Sequence, residues 1–104
     1  MSEKLVLQER VDAVAKLTLN NPNKRNAMDY DMVGALIDAL KAADEDPEVR
    51  AVVIAGAGDH FSAGGNLKEF AEELKLPAVE HWKAADPWIE LFRLARKVHV
   101  PVIA

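Results

Sequence analysis

The chain has 104 residues, half of them apolar, which suits one globular unit with a modest core and leaves no room for two. Its net charge of −4 argues against a nucleic-acid partner, because binding to a phosphate backbone needs a basic face. The absence of cysteine excludes disulfides and thiolate chemistry. No apolar stretch has the roughly 20 residues of a membrane span or forms a signal segment; we expect a protein of the cytoplasm or an organelle matrix.

The first third of the chain predicts a β-hairpin followed by a loop. Two short extended runs, Leu5-Val6-Leu7 and Ala13 to Leu19, are separated by Arg10-Val11-Asp12. In the second run Ala13, Ala15, Leu17 and Leu19 fall on one face, and this period of two is typical of a strand with one buried face. The segment 20–26 is polar and rich in turn-forming residues, so we expect a loop there.

An amphipathic helix comes next. Asp29 is placed to cap it, and Asp46-Pro47 is expected to end it, because proline disfavours helical geometry in the residue before it. Apolar residues recur between these limits at helical spacing and predict one buried stripe, comprising Met32, Val33, Leu36, Ile37, Leu40 and Ala43.

The remaining elements predict an α/β fold. The continuous apolar run 51–55 is typical of a parallel strand covered on both faces. After a glycine-rich loop and a short helix starting at Leu67, Asp86-Pro87 is expected to open a final helix. Its apolar stripe comprises Trp88, Leu91, Phe92 and Ala95. The run 100–104 predicts a further strand, so the order β-β-α-β-α-α-β indicates a growing parallel sheet. An apolar strand at residue 104 also predicts that the chain is part of a longer polypeptide.

The glycine-rich loop is the segment in which chemistry is expected. A buried strand leads into Gly56, and Gly64-Gly65 precedes a helix start, where free N–H groups and the helix dipole favour negative charge. Such an arrangement suits an oxyanion hole or a phosphate site. A P-loop is excluded, because no lysine followed by serine or threonine comes after the glycines. A dinucleotide fingerprint would need glycine at Phe61.

Several polar and aromatic side chains have both a functional and a structural interpretation. Glu69, Glu72 and Glu73 could form an acid–base cluster, but a solvated helix face beside Lys68 and Lys75 is favoured. We interpret His60 as an exposed loop residue, while His81 and His99 lack the spacing of a zinc site. Trp88 and Phe92 are expected in the core rather than in the lining of a ligand pocket, and both interpretations stay open for Trp82.

Four segments together resemble the enoyl-CoA hydratase/isomerase (crotonase) family. They occur in the family's order and spacing and cover nearly the whole chain; they are Asn21 to Met28, Asp46 to Gly56, Phe61 to Glu69 and Val100 to Ala104. The resemblance implies a ClpP/crotonase-type fold with a parallel-sheet core and an N-terminal hairpin, of which residues 1–104 form the N-terminal part of a single domain.

The resemblance also implies a site and a substrate. Gly65 would donate one N–H of an oxyanion hole to the thioester carbonyl of an acyl-CoA, so that an enolate forms. Other residues would bind the substrate, namely Lys24, Arg25, Ala27, Ala63, Gly64, Asn66 and Leu67. No metal or redox cofactor is implied, coenzyme A being part of the substrate, and the full-length protein is expected to be a homo-oligomer (a trimer or a dimer of trimers).

The sequence departs from the family at two positions of this segment. Asn66 stands where many hydratases carry aspartate, and Gly65 where alanine is more usual. The family's second oxyanion donor and its acid–base carboxylates would lie beyond residue 104, so the choice between hydration and isomerisation stays open.

Two rival functions remain. The chain could be a non-catalytic module that pairs with another chain through an open sheet edge, in which case thioesters would not affect it. An RNA-binding role, known for one branch of the family, is disfavoured by the acidic balance.

Overall fold

The computed structural model describes residues 4–104, apart from the helical side chains at positions 67, 70, 73, 78, 79, 81, 82 and 84. The interpretations given above for Glu73, His81 and Trp82 concern side chains outside this described set. No helix in the described part of the chain is long and apolar enough to cross a membrane.

Within residues 4–104, four strands and three α-helices follow the predicted order. They are β1 (Val6–Val11), β2 (Val14–Leu19), α1 (Tyr30–Glu45), β3 (Ala51–Gly56), α2 (Leu67–Glu73), α3 (Ala78–Lys97) and β4 (Val102–Ile103). The strands form one sheet in the order β1-β2-β3-β4, in which only the β1–β2 pair is antiparallel. The sheet is therefore the predicted hairpin extended by parallel strands.

The hairpin turn lies later than the sequence suggested. We expected it at residues 10–12, but β1 continues to Val11 and the turn is formed by Asp12 and Ala13. Asp12 has a φ of 54°, a left-handed conformation that aspartate adopts more readily than most residues. Ala13 therefore belongs to the turn, whereas Ala15, Leu17 and Leu19 face the core as predicted.

Helix α1 provides most of the core that covers the sheet. The Asp29 carboxylate accepts a hydrogen bond from the Met32 N–H at 2.8 Å, which confirms the predicted cap. The helix ends at Glu45, directly before Asp46-Pro47. All six residues of the predicted stripe are buried, and they pack with the inward face of β2.

Strand β3 is parallel as predicted, but its surroundings differ from the expectation. Only Val52 is fully buried, while Val53, Ile54 and Ala55 are half-buried. α1 covers one face of the sheet, and within the described residues the other face of β3 has no comparable cover. The prediction of a strand enclosed on both faces was therefore wrong for this chain.

The start predicted for the last helix was also wrong. α3 begins at Ala78, and Pro87 lies inside it. Residues 78–86 are rich in strong helix formers, and the helix gains from an ion pair between Glu80 and Lys83 one turn apart. The helix therefore tolerates the hydrogen bond that Pro87 cannot donate.

One face of α3 packs on α1, and the neighbouring face does not. Leu91 is buried and Trp88 is half-buried against the core, whereas 63% of Phe92 is exposed. The expectation that Phe92 belongs to the core was wrong, because Phe92 lies at the edge of the stripe about 100° around the helix from the buried Leu91. Its ring still contacts Trp88, with 6.2 Å between centroids.

The helix cap gives a direct test of this fold. Asp29→Ala should lower the free energy of unfolding by about 1 kcal/mol, because the Met32 N–H loses its acceptor. Asp38→Ala is the matched control: Asp38 is exposed in the middle of the same helix, where alanine is at least as favourable. Urea unfolding of both variants checks this, and equal stability of the two would contradict the assigned cap.

Candidate functional site

The candidate site is formed by two loops that leave the same end of the sheet, where neighbouring parallel strands terminate. β2 and β3 are parallel, and their last residues, Leu19 and Gly56, are paired. Loops 20–29 and 57–66 therefore emerge side by side at the carboxyl ends of the strands. In parallel sheets, loops at the carboxyl ends of neighbouring strands form binding sites.

Gly56 allows loop 57–66 to fold back onto the end of β3. A Cβ at this position would lie 2.4 Å from the carbonyl oxygens of both His60 and Phe61. Real Cβ atoms do not approach backbone oxygens so closely, so only glycine fits here. The close approach brings the rest of the loop next to segment 25–28.

The Asn26 side chain joins the two loops. Its amide group donates to the carbonyl oxygens of Ala57 at 2.9 Å and His60 at 2.8 Å. Its amide oxygen accepts from the Asn21 N–H at 2.8 Å. Asn26 is completely buried and has a φ of 55°, which asparagine tolerates better than most residues. One side chain thus satisfies backbone groups in both loops.

Ser62 adds a second connection between the loops. Its hydroxyl donates to the carbonyl oxygen of Asn26 at 2.8 Å and accepts from the Gly64 N–H at 3.0 Å. The neighbouring Ala63 N–H donates to the carbonyl oxygen of Arg25 at 2.9 Å. Residues 62–64 are therefore held against residues 25 and 26 by backbone contacts as well as by the hydroxyl.

These contacts determine the direction in which the Gly65 N–H points. The Met28 N–H donates to the Gly64 carbonyl oxygen at 2.7 Å, and Met28 and Gly65 form a parallel bridge. In a planar trans peptide the C=O and N–H point in opposite directions. The Gly65 N–H is therefore directed away from Met28, and it makes no hydrogen bond within the described part of the chain.

Gly64 has the conformation that this arrangement requires. Its φ is 89°, in a region that residues with a side chain rarely adopt, although a Cβ there would meet no atom within 4 Å. Backbone geometry rather than space therefore explains the glycine. The conformational freedom that the sequence predicted for these glycines is required at Gly64. The N–H that has no partner in the described part of the chain belongs to Gly65.

Helix α2 begins directly after this peptide, and its start is capped. The Asn66 side-chain oxygen accepts the Glu69 N–H at 3.2 Å, as expected for a helix cap. We expected the N–H groups of the first helical turn to be free to bind a ligand. The Glu69 N–H is not free, because it donates to Asn66. Asparagine was expected to serve as a helix cap at this position, and the contact confirms it, while the substrate role of Asn66 stays a prediction.

Glu69 was interpreted as part of a solvated helix face, and this was wrong. Its carboxylate accepts the Tyr30 N–H at the start of α1, at 3.1 Å. Burial raises the pKa of Glu69 above its ordinary value, and the nearby carboxylates of Asp29 and Asp31 raise this pKa further. The exposed-face interpretation does hold for Glu72, which pairs with Lys75 at 3.7 Å.

The other predicted site residues lie around the same loop pair. Lys24 and Arg25 are exposed, and Ala27 is half-buried, on loop 20–29. Ala63 is exposed, and Gly64, Gly65 and Asn66 are half-buried, on loop 57–66. The Leu67 side chain lies outside the described residues. The structure thus brings together the two loops that contain the predicted site residues. The cationic side chains of Lys24 and Arg25 lie on one of these loops.

Four residues that hold the site together were not among the predicted site residues: Asn26, Met28, Ser62 and Glu69. Met28 acts through its backbone, which no side-chain pattern reveals. Asn26 could have been found, since a polar residue between Arg25 and Ala27 in a turn-rich loop favours a left-handed position. Ser62 and Glu69 depend on contacts 36 and 39 residues away.

A cavity elsewhere on the chain is separate from this site. It has a volume of about 520 Å³, lies along α3, and is lined by Ile89, Phe92, Arg93, Arg96 and Lys97. α3 ends just before β4, which is parallel to β3. The C-terminal end of α3 therefore lies toward the opposite end of the sheet, where the parallel strands begin. Among the described residues, no group of three potential metal ligands comes together.

The buried amide of Asn26 provides the test of this geometry. Asn26→Asp keeps the shape and the acceptor but loses both donated hydrogen bonds and places a carboxylate against two carbonyl oxygens. We expect a loss of about 2 kcal/mol or more in unfolding free energy. Asn23→Asp, an exposed position on the same loop, is the control and should stay close to the unchanged chain. Equal denaturant midpoints for the two variants would contradict the role of Asn26.

The chain is similar to many known proteins along nearly its whole length. It is 36% identical over 101 residues to carboxymethylproline synthase from Pectobacterium carotovorum subsp. carotovorum, covering 96% of this chain and 40% of the relative. It is 33% identical to the mitochondrial enoyl-CoA hydratase domain-containing protein 3 of Danio rerio, covering 99% of this chain and 35% of that protein. The chain thus spans well under half the length of these curated relatives.

Solved structures give the same result. An enoyl-CoA hydratase from Mycobacterium smegmatis superposes with a TM-score of 0.83 at 36% identity, over 96% of this chain and 38% of the other. An enoyl-CoA hydratase/isomerase from Marinobacter aquaeolei gives 0.82 at 27% identity, over 94% and 39%. The sequence profile of the enoyl-CoA hydratase/isomerase family matches residues 9–104. The chain therefore belongs to the enoyl-CoA hydratase/isomerase family and has the corresponding part of the crotonase fold.

Proposed function

We propose that loop 57–66 binds the thioester carbonyl oxygen of an acyl-CoA through the Gly65 N–H and stabilises the enolate formed from it. The observation that carries this proposal is the direction of that N–H. The Met28–Gly64 hydrogen bond turns it away from loop 20–29, and no acceptor in the described part of the chain pairs with it. A donor fixed before substrate arrives needs no reorganisation as charge develops on the oxygen.

The chemistry that follows is polarisation of a carbonyl. As a proton leaves the carbon next to the thioester, or a nucleophile adds to an enoyl group, electron density moves onto the carbonyl oxygen. A hydrogen bond that strengthens with this charge lowers the barrier more than it stabilises the substrate. Gly65 supplies one donor; we assign the second donor and the acid–base groups to parts of the longer protein outside this chain.

Lys24 and Arg25 are proposed to contact the phosphates of coenzyme A. Both are exposed cations on the loop that holds the Gly65 peptide, and the Arg25 carbonyl oxygen itself accepts from Ala63. Cationic side chains suit phosphate groups, and their place beside the carbonyl site suits a ligand that carries both. Ala27, Ala63 and Gly64, whose side chains are small or absent, are proposed to line the path of the chain that joins these two parts of the ligand. Asn66 and Leu67 complete the proposed substrate-binding set.

For the whole protein, we propose a lyase or isomerase that acts on an enoyl- or related acyl-CoA without a metal or redox cofactor. We further propose a homo-oligomer that works in the cytoplasm or an organelle matrix. Family membership supports the proposed activity, and so does the name of the similar protein from Danio rerio, which describes an enoyl-CoA hydratase domain.

The test compares a thioester with a ligand that lacks the carbonyl. S-butyl-CoA has a methylene group in place of the thioester carbonyl of butyryl-CoA. The ratio of the two dissociation constants therefore reports the carbonyl contact. One hydrogen bond corresponds to a preference of about threefold to tenfold for the thioester. Gly65→Pro removes the N–H and should abolish this preference, whereas Gly65→Ala keeps the N–H and should retain it.

Isothermal titration of the three chains with both ligands gives the answer. An unchanged thioester preference in Gly65→Pro would contradict the proposed donor. Equal binding of both ligands by the unaltered chain would contradict carbonyl binding altogether. Absence of any binding, together with self-association, would favour the rival function of a module that pairs through a sheet edge, since β1 and β4 form the two edges of this sheet.

A further inference from the structure

Glu69 connects the first turns of two helices. Its backbone N–H donates to the Asn66 side chain at the start of α2, at 3.2 Å. Its carboxylate accepts the Tyr30 N–H at the start of α1, at 3.1 Å. A single residue thus fixes where α2 begins and how far this beginning lies from α1.

These two hydrogen bonds close a ring around the Gly65 peptide. From Glu69 the ring runs through Asn66 back to Gly64, across the 2.7 Å hydrogen bond to Met28, and along the chain to Tyr30 and the Glu69 carboxylate. Gly65 lies within the ring between two held points. Glu69 thus adds to the Met28–Gly65 bridge a second tie on the downstream side of the Gly65 peptide, through the start of α2.

We propose that Glu69 is a positioning residue for the Gly65 N–H, acting as a hydrogen-bond acceptor that ties α2 to α1; this rests on the proposed function of Gly65. Glu69 touches none of the proposed reacting atoms, so it takes no part in proton transfer. Its effect on a ligand should appear only for a ligand whose carbonyl oxygen reaches Gly65.

The role requires an acceptor oxygen and not a negative charge. The groups that face Glu69 from α1 and its cap are Asp29 and Asp31, both acidic. On its own helix, Glu72 is engaged with Lys75. A third carboxylate gains nothing electrostatically beside these two aspartates, whereas either protonation form of Glu69 keeps an oxygen that can accept from Tyr30. Glutamine should therefore replace Glu69 without loss.

A first measurement needs no ligand. In Glu69→Ala, amide hydrogen exchange at Met28 should accelerate about tenfold or more, because opening of the loop pair becomes easier. Glu69→Gln should keep the rate of the unaltered chain. Glu72→Ala, an exposed position on the same helix, is the matched control and should leave Met28 unchanged. Unchanged exchange at Met28 in Glu69→Ala would overturn the proposal whatever the ligands do.

A second measurement links the ring to carbonyl binding. In Glu69→Ala, the preference for butyryl-CoA over S-butyl-CoA should fall about threefold or more, while the affinity for S-butyl-CoA stays the same. Glu69→Gln should restore the preference. Glu69→Asp, which keeps the charge but is one methylene shorter, should behave like alanine, and it replaces alanine if that variant does not fold.

The possible outcomes separate the two proposals. A thioester preference that survives in both Glu69→Ala and Glu69→Asp overturns the positioning role and leaves carbonyl binding by Gly65 intact. Loss of the preference in Glu69→Gln also overturns it, because the charge or the proton would then matter. If the unaltered chain shows no preference, the proposed function fails and the positioning role is overturned with it, even where Met28 exchange responds.

Discussion

The hydrogen bond from the Met28 N–H to the Gly64 carbonyl oxygen is the contact on which the candidate site depends. It is short, at 2.7 Å, and it links two loops that are 36 residues apart in sequence. Because peptide groups are planar and trans, this bond also sets the direction of the Gly65 N–H. The parallel pairing of β2 with β3 makes the bond possible, since it brings both loops to the same end of the sheet, where these strands terminate.

Polar contacts rather than apolar packing hold the two loops together. The loops contain backbone groups that are shielded from water and need partners. Asn26 provides three such partners from a completely buried side chain. Its left-handed conformation costs on the order of 1 kcal/mol or more, and hydrogen bonds of about 1 kcal/mol each offset this cost. The two loops are thus held together, while the N–H of Gly65 has no partner within the described part of the chain.

The sequence predicts those parts of this structure that follow from local patterns. The stripe of α1, the Asp29 cap and the inward residues of β2 depend on spacing of two to four residues, and they were predicted correctly. The start of α3 and the exposure of Phe92 were not, and Phe92 depends on which face of α3 packs on α1. Pattern alone favours a helix start at Asp86-Pro87, but the helix-forming residues before it continue the helix through the proline.

The candidate site shows the same division. The glycines of loop 57–66 and the family resemblance directed attention to the Gly64–Gly65 peptide. The residues that hold this peptide come from distant parts of the chain, and Glu69 had a simpler interpretation as one of three glutamates on an exposed face. Its contact with Tyr30 depends on the angle between α1 and α2, which no short-range pattern encodes.

The amide signal of Gly65 gives the most direct test of the central claim, that this N–H is held ready for a carbonyl oxygen. A nitrogen-15-labelled chain would be titrated with butyryl-CoA and, separately, with S-butyl-CoA. We predict a downfield shift of the Gly65 proton with the thioester and little change with the thioether. Equal shifts with both ligands, or a thioester that binds without moving the Gly65 signal, would contradict it.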